Sequence, residues 1–262
     1  MFRGRHRRRF PDTAPAHACF PESSPDPGRR GARAHARGRL RRARPCGGGQ
    51  HRRGCDEAAL AALAPGWDDL AVDTYLRDGG RYRRRRHACF VQEGDALTLA
   101  PHRAHWQSED YNALHGGMHR WFEPVEARTL ALPAWSGLID GFGRLFARLR
   151  GQARWFIEAH QFRIDTTDGI GRPTPEGAHR DGVDFVVVLL VDRVDIKGGE
   201  TRVFEAEGTH GQRFTLAQPW SALLLDDARV IHESTPIQPA GEAGHRDTLV
   251  LTYRAGAFQG ED

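Results

Sequence analysis

His179 and Asp181 stand one residue apart in Gly177-Ala-His179-Arg-Asp181-Gly182, just before the apolar run Phe185–Val191. In extended backbone, residues two apart leave the same face, so the spacing predicts an imidazole and a carboxylate side by side. A third ligand of the same kind lies downstream, His232 in the β-branched run Val230-Ile-His232. Two histidines and one carboxylate bind a first-row divalent metal and leave coordination positions open, the ligand set of non-haem Fe(II) sites. His-x-Asp alone is a common pair, and a second pair further along the chain gives it weight. Arg246 and Thr248 are again two apart, at the mouth of the strand-like stretch Thr248–Tyr253. A guanidinium fork beside a hydroxyl suits the distal carboxylate of a small diacid, because paired charge-assisted bonds fix position and orientation together. Arg254 is the rival for that role on the same strand; Arg246 is preferred because Thr248 shares its face.

Short strands must carry these residues. The pattern predicts them at Trp155–Ile164, Phe185–Val191, Thr201–Glu205, Phe214–Leu216, Ser221–Leu225, Val230–Glu233 and Thr248–Tyr253, with Gly-rich turns between. Such spacing argues for an antiparallel sandwich or jelly roll. One amphipathic helix is expected over Ser136–Arg150, burying Leu138, Phe142, Leu145 and Leu149, and a short one over Asp56–Leu63. A basic strand from Tyr82 to Phe90 should alternate Arg83 to Arg86 between interior and surface. His102, His105, His115 and His119 show no spacing that gathers three on one face, and read as satisfied or exposed side chains. Gln107, Tyr111 and Asn112 are uncharged hydrogen-bonding groups in a loop-like stretch, the kind that orients a small polar substrate.

Several blocks together carry a family resemblance: His160-Gln-Phe-Arg-Ile164, Pro175 to Gly182, Gly198-Gly-Glu-Thr201, Asp226 to His232, Thr235-Pro236 and Arg246-Asp247. Upstream, Tyr75 to Arg86, Gln107 to Asn112 and Gly116-Gly117 extend it. Over about residues 65 to 256 the chain resembles the bacterial 2OG-Fe dioxygenases that include the L-isoleucine 4-hydroxylases. The resemblance implies a mostly β double-stranded β-helix with flanking helices, and Fe(II), 2-oxoglutarate and O2 as cofactors. It implies His179, Asp181 and His232 as metal ligands, and Arg246 with Thr248 as the 2-oxoglutarate clamp. It also places Arg83, Gln107, Tyr111 and Asn112 near a small substrate, a free amino acid being first in line, with His160 behind the ligands or in the core.

The charge is divided along the chain. Residues 1–55 hold 15 arginines against three acids, which leaves 23 basic and 31 acidic residues for 56–262. The first segment is rich in Arg, Pro and Gly with almost no apolar periodicity, and it reads as disordered. A nucleic-acid role through it is one alternative; the acidic remainder argues against that role, because all phosphate affinity would reside in the tail. With one Lys against 37 Arg, the segment also fits GC-rich DNA translated from a start placed too early. A cupin-type barrel holding metal for another purpose is the second alternative, and it would have no use for Arg246. The four cysteines, Cys19, Cys46, Cys55 and Cys89, form no disulfide framework, so a cytoplasmic location is expected. Cys46-x4-His51-x3-Cys55 fits no common zinc spacing. No run approaches the ~20 apolar residues of a membrane span.

Overall fold

The computed structural model describes residues 41–43 and 56–261. Apart from Arg41–Ala43, the Arg-rich segment and Cys19, Cys46, His51 and Cys55 lie outside the described residues, and so does the reading of that segment as disordered.

Among the described residues all strand pairs are antiparallel. The large sheet has seven strands in the order β1 (Arg41–Ala43), β9 (Ala222–Asp226), β5 (Phe185–Val194), β12 (His245–Arg254), β4 (Arg154–Asp165), β2 (Arg83–Glu93) and β3 (Ala96–Leu99). A three-stranded sheet orders β10 (Val230–Ser234), β7 (Thr201–Glu205) and β8 (Gly211–Phe214); β11 (Ile237–Pro239) pairs β6 (Ile196–Gly198). The sheets form the double-stranded β-helix that the resemblance implies. Among the described residues no helix is long and apolar enough to cross a membrane.

Alternation along the long strands decides what each face does. On β4, Trp155, Ile157 and Ala159 join the main core; on β12, Leu249, Leu251 and Tyr253 do so, and on β5, Val187 and Leu189. That core is closed by α1 (Glu57–Ala61) with the 3-10 turn Ala64–Trp67 and, after the short α2 (Ala127–Leu130), by α3 (Pro133–Arg150) through Trp135, Leu138, Ile139 and Phe146. Trp67, Trp135 and Trp155 are fully buried, and side chains of this size contribute roughly 2–3 kcal/mol each by transfer from water. The other face of the same strands turns inward. On β4 it carries Phe156, Glu158, His160, Phe162 and Ile164, and on β12 Arg246, Thr248, Val250, Thr252 and Arg254, and these line a cavity of about 140 Å³.

α3 starts with Pro at its first position, where no N–H is required, and ends at Gly151. Gly143, inside it, leaves room for the Gln92 amide, which an added Cβ would overlap. Leu149 departs from the expected buried stripe. It sits in the last turn, two residues before the chain leaves the helix, and is 65% exposed. The strand expected at Phe214–Leu216 lies earlier, at Gly211–Phe214, because Thr201 to Phe204 pair with that segment. Arg83 and Arg85 are buried while Arg84 and Arg86 point outward, so the basic strand alternates as expected.

Candidate metal centre

His179 and His232 meet across a two-residue bridge. Each backbone N–H donates to the other's carbonyl, at 3.0 Å from His179 and 2.9 Å from His232. His232 belongs to β10, but His179-Arg180-Asp181 is not strand, which corrects the extended reading of the His-x-Asp pair. The backbone curls there because Asp227, fully buried, accepts hydrogen bonds from the N–H groups of Asp181, Gly182 and Val183 at 2.9, 2.8 and 3.2 Å. Gln259 donates to the carbonyls of Asp181 and Gly182 from the other side, at 2.7 and 3.1 Å. Gly182 has φ +77°, and a Cβ there would come within 2.5 Å of the Tyr111 ring. The curl, and not an extended backbone, brings both side chains to one point.

Asp181 Oδ1 lies 3.6 Å from His179 Nε2, and Asp181 Oδ2 lies 3.6 Å from His232 Nε2. All three ligating atoms fall within 4.8 Å of one another. A first-row dication with bonds near 2.1 Å spaces neighbouring ligands by roughly 3 Å, so modest side-chain rotation closes this set on an ion. His179 Nδ1 faces the Gly177 carbonyl at 2.9 Å; a carbonyl only accepts, so Nδ1 carries the hydrogen and the Nε2 lone pair is left for a metal. Burial works against protonation of His179, but the Asp181 carboxylate outweighs it and raises the imidazole to about 10. Burial and the His179 charge push His232 down to about 4. Burial opposes ionisation of Asp181, yet its two histidine neighbours hold it below the ordinary carboxylate range. The Asp181 carboxylate therefore draws positive charge to this point, and a dication would supply it in place of the His179 proton.

A second cluster shares the cavity wall. His87 Nε2, His160 Nε2 and His105 Nδ1 converge on Glu158 Oε2 at 3.3, 3.3 and 2.5 Å. The four histidines singled out between residues 102 and 119 do not meet one another. His102 bonds the Phe122 carbonyl, His115 takes the Arg77 N–H and His119 is exposed, but His105 joins partners from β2 and β4. One proton in this cluster has a fixed place. Arg85 Nη2 donates to His160 Nδ1 at 2.7 Å, and arginine has no acceptor, so the His160 hydrogen sits on Nε2 and points at Glu158. Glu158 is a carboxylate caged by imidazole N–H groups. Although burial opposes its charge, His105 and the other donors hold its pKa well below the usual value. This is a hydrogen-bonded wall in which the His160 Nε2 proton faces the Glu158 carboxylate, where a metal would need a lone pair.

The predicted side chains fall into three groups. Arg83, Gln107 and Asn112 line the cavity; Tyr111 does not, and is 36% exposed with its ring against Gly182. Arg83 is already committed through Nε to Asp73 at 2.7 Å. Gln107 reaches the metal-ligand set itself, Nε2 to Asp181 Oδ1 at 3.3 Å. Thr248 and Arg246 both line the cavity. Arg246 is 4% exposed, with Nε and Nη2 lacking any protein partner. Burial and the neighbouring Arg193 charge lower its pKa to about 10. Arg254, the rival, spends Nη1 on the carbonyls of Ala257 and Phe258. Sequence reading missed Asp227, Glu158, Arg120 and Gln259. The signal available for Glu158 was polar residues at every second position of an otherwise apolar strand, with Glu158 and His160 alternating with Ile157 and Ala159.

Comparison with known proteins bears on what this arrangement is. A crystal structure of a bsmA homologue from Methylobium petroleophilum is similar at 57% identity and a TM-score of 0.75, covering 78% of this chain and 84% of that one. IDO from Bacillus thuringiensis shares the fold at 18% identity and a TM-score of 0.64, covering 76% and 87%. The Fe(II)/α-ketoglutarate-dependent dioxygenase TqaL shares it at 19% identity and 0.59, covering 79% and 78%. No curated protein shows significant similarity. The family model for 2OG-Fe dioxygenase matches residues 64–252, a span that holds the histidine–aspartate pair, His232, Arg246 and the whole cavity-facing length of β4. The chain belongs to the 2OG-Fe dioxygenase family, whose cofactors are Fe(II), 2-oxoglutarate and O2.

Proposed function

We propose that the protein hydroxylates an unactivated C–H bond of a free L-amino acid, in the manner of the amino-acid hydroxylases that its motifs resemble. His179 Nε2, His232 Nε2 and the Asp181 carboxylate hold Fe(II); with 2-oxoglutarate and O2 bound, the metal supplies the oxidation, and succinate and CO2 leave as co-products. The observation that carries the reading is Arg246, a buried guanidinium in the same cavity as the triad with two donors unspent. A buried, unpaired cation is costly, and a dicarboxylate that brings one charge to the metal and one to Arg246 removes that cost. Thr248, two residues on, adds a hydroxyl to the same wall.

A zwitterionic substrate suits the remainder of the wall. Arg85 Nε and Arg120 Nε are buried without a partner, and so is Glu176 Oε2, so both signs of charge wait in one cavity. Arg85 lies between the rings of Phe122 and Phe162, its guanidinium carbon 3.6 and 4.3 Å from their centroids, which excludes water from that end. Arg83, Gln107 and Asn112 complete the polar lining, and Tyr111 covers the metal loop from outside. We place the reaction in the cytoplasm, with a small molecule as partner and neither nucleic acid nor membrane.

The test is succinate formation by Fe(II)-loaded protein across the twenty L-amino acids, against the substrate-free rate. One or a few amino acids should raise it well above background and yield a product heavier by one oxygen. Stimulation only by non-amino-acid metabolites would overturn the substrate class. The absence of any Fe(II)–2-oxoglutarate charge-transfer absorption under anaerobic conditions would overturn the ligand assignment.

A further inference from the structure

Gln107 sits in the segment 105–120, which is closed on itself. His105 and Arg120 exchange backbone hydrogen bonds at 2.9 Å each, and the Gly117 N–H returns to the Gln107 carbonyl at 2.9 Å. The direction of every side-chain hydrogen bond inside it is set by groups that have no choice. The His115 backbone N–H can only donate, and does so to Asn112 Oδ1 at 2.8 Å, which turns the Asn112 amide nitrogen toward Gln107. Asn112 Nδ2 and Arg120 Nη2, both donors, then meet Gln107 Oε1 at 3.2 and 3.0 Å. The Gln107 amide cannot flip without setting donors against donors. Its Nε2 is left facing Asp181 Oδ1.

We propose that Gln107, locked by Arg120 and Asn112, is the positioning residue that orients the Asp181 carboxylate for metal binding, and that Arg120 acts on the metal through Gln107. The inference rests on Asp181 being an iron ligand. Asp227 and Gln259 secure only the backbone of residues 181–183; apart from Gln107, the Asp181 carboxylate faces the two ligand histidines at 3.6 Å each, whose nitrogens turn to a metal when one is bound. The hydrogen bond from Gln107 removes that freedom, a function that outer-sphere partners of metal ligands serve at a typical cost of roughly 10–100-fold in affinity when deleted. Gln107, Asn112 and Arg120 are 6%, 4% and 2% exposed, so the three are held in place by packing as well as by their hydrogen bonds.

The experiment is anaerobic Fe(II) titration of the full chain and of Gln107→Leu, Arg120→Leu, Arg120→Lys and the Gln107→Leu/Arg120→Leu double variant, with the Fe(II)–2-oxoglutarate absorption recorded for each. Gln107→Leu should weaken Fe(II) binding by about 10–100-fold and displace the absorption band, because the donor strength of Asp181 changes. Arg120→Leu should weaken it to a similar degree although it makes no contact with a ligand, and Arg120→Lys should recover part. The double variant should be no weaker than Gln107→Leu alone, since both changes break one chain. Fe(II) affinity within about twofold of the parent, with only the melting temperature lowered, would reduce the three residues to structural support and overturn the proposal. Additive losses would overturn the relay. Gln107→Glu keeps both accepted bonds and replaces the donor with an anionic oxygen facing Asp181, so it remains informative if the leucine variants do not fold; an affinity and a band both unchanged there would also refute the proposal. A parent chain that binds no Fe(II) would instead remove the ligand assignment on which the inference rests.

Discussion

His179 and His232, 53 residues apart, exchange both of their backbone hydrogen bonds, so the two imidazoles are held side by side by main chain and not by the metal. The ring centroids lie 4.7 Å apart, a spacing that the bridge sets. The ligand pair is therefore preorganised, and its backbone does not depend on what the side chains are.

His179→Ala and His232→Ala thus each remove one of three ligands without unpairing the bridge. Both variants should lose Fe(II)-dependent succinate formation by at least about a hundredfold while keeping the far-ultraviolet circular dichroism of the parent. Melting temperatures should move by only a few degrees, about 2–4 °C per kcal/mol at this size. Parent-like iron stoichiometry in either variant would count against the triad.

The caged Glu158 predicts a metal count. With His160 Nε2–H, His105 and His87 donating into the centre of the cluster, the chain should bind one divalent ion and not two. Elemental analysis after equilibration with Fe(II) or Zn(II) should give one equivalent, and His87→Ala should leave that value unchanged. Two equivalents in the parent, falling to one in His87→Ala, would show that the cluster sheds its protons for a metal.

Arg246→Ala should weaken 2-oxoglutarate binding by about 30-fold or more, since deleting one partner of a desolvated charge pair costs roughly 2–5 kcal/mol. Arg246→Lys should restore only part, because an ammonium lacks the planar fork. Iron affinity should hold in both. The readout is titration of the Fe(II)–2-oxoglutarate absorption without O2; unchanged 2-oxoglutarate affinity in Arg246→Ala would move the clamp to another residue.

Acid should destabilise the metal-free fold early. Burial lowers His105 to about 4 against the attraction of Glu158, and burial with the Arg83 charge lowers His115 to about 4. Both stay neutral when folded and take up a proton on unfolding below about pH 6.5, so the unfolded state binds more protons and stability falls as pH drops from about 6.5 toward 4. Each contributes a slope of up to ~1.4 kcal/mol per pH unit in that window. Chemical denaturation at pH 7, 6, 5 and 4 measures it, and a midpoint independent of pH over that range would contradict the buried neutral state.

What the sequence determined by itself was local and periodic. The i, i+2 spacing of Arg246 with Thr248 placed that pair on one cavity wall and the alternation of Arg83 to Arg86 held, while of the expected helical stripe Leu138 is buried, Phe142 and Leu145 are half-buried and Leu149 is exposed. Periodicity reports which side chains leave together, because that depends only on the backbone repeat. It does not report what they meet. His87 faces His160 because β2 and β4 pair in one register, and His105 reaches both from a loop that no short-range pattern ties to them. A one-residue slip would send the β4 partners to the helix face. The His-x-Asp segment curls instead of extending because Asp227, 46 residues downstream of Asp181, collects three of its N–H groups. That Gln107 also faces Asp181 was hidden for the same reason: its direction is set by Arg120 and Asn112, whose positions exist only once the chain has closed around the cavity.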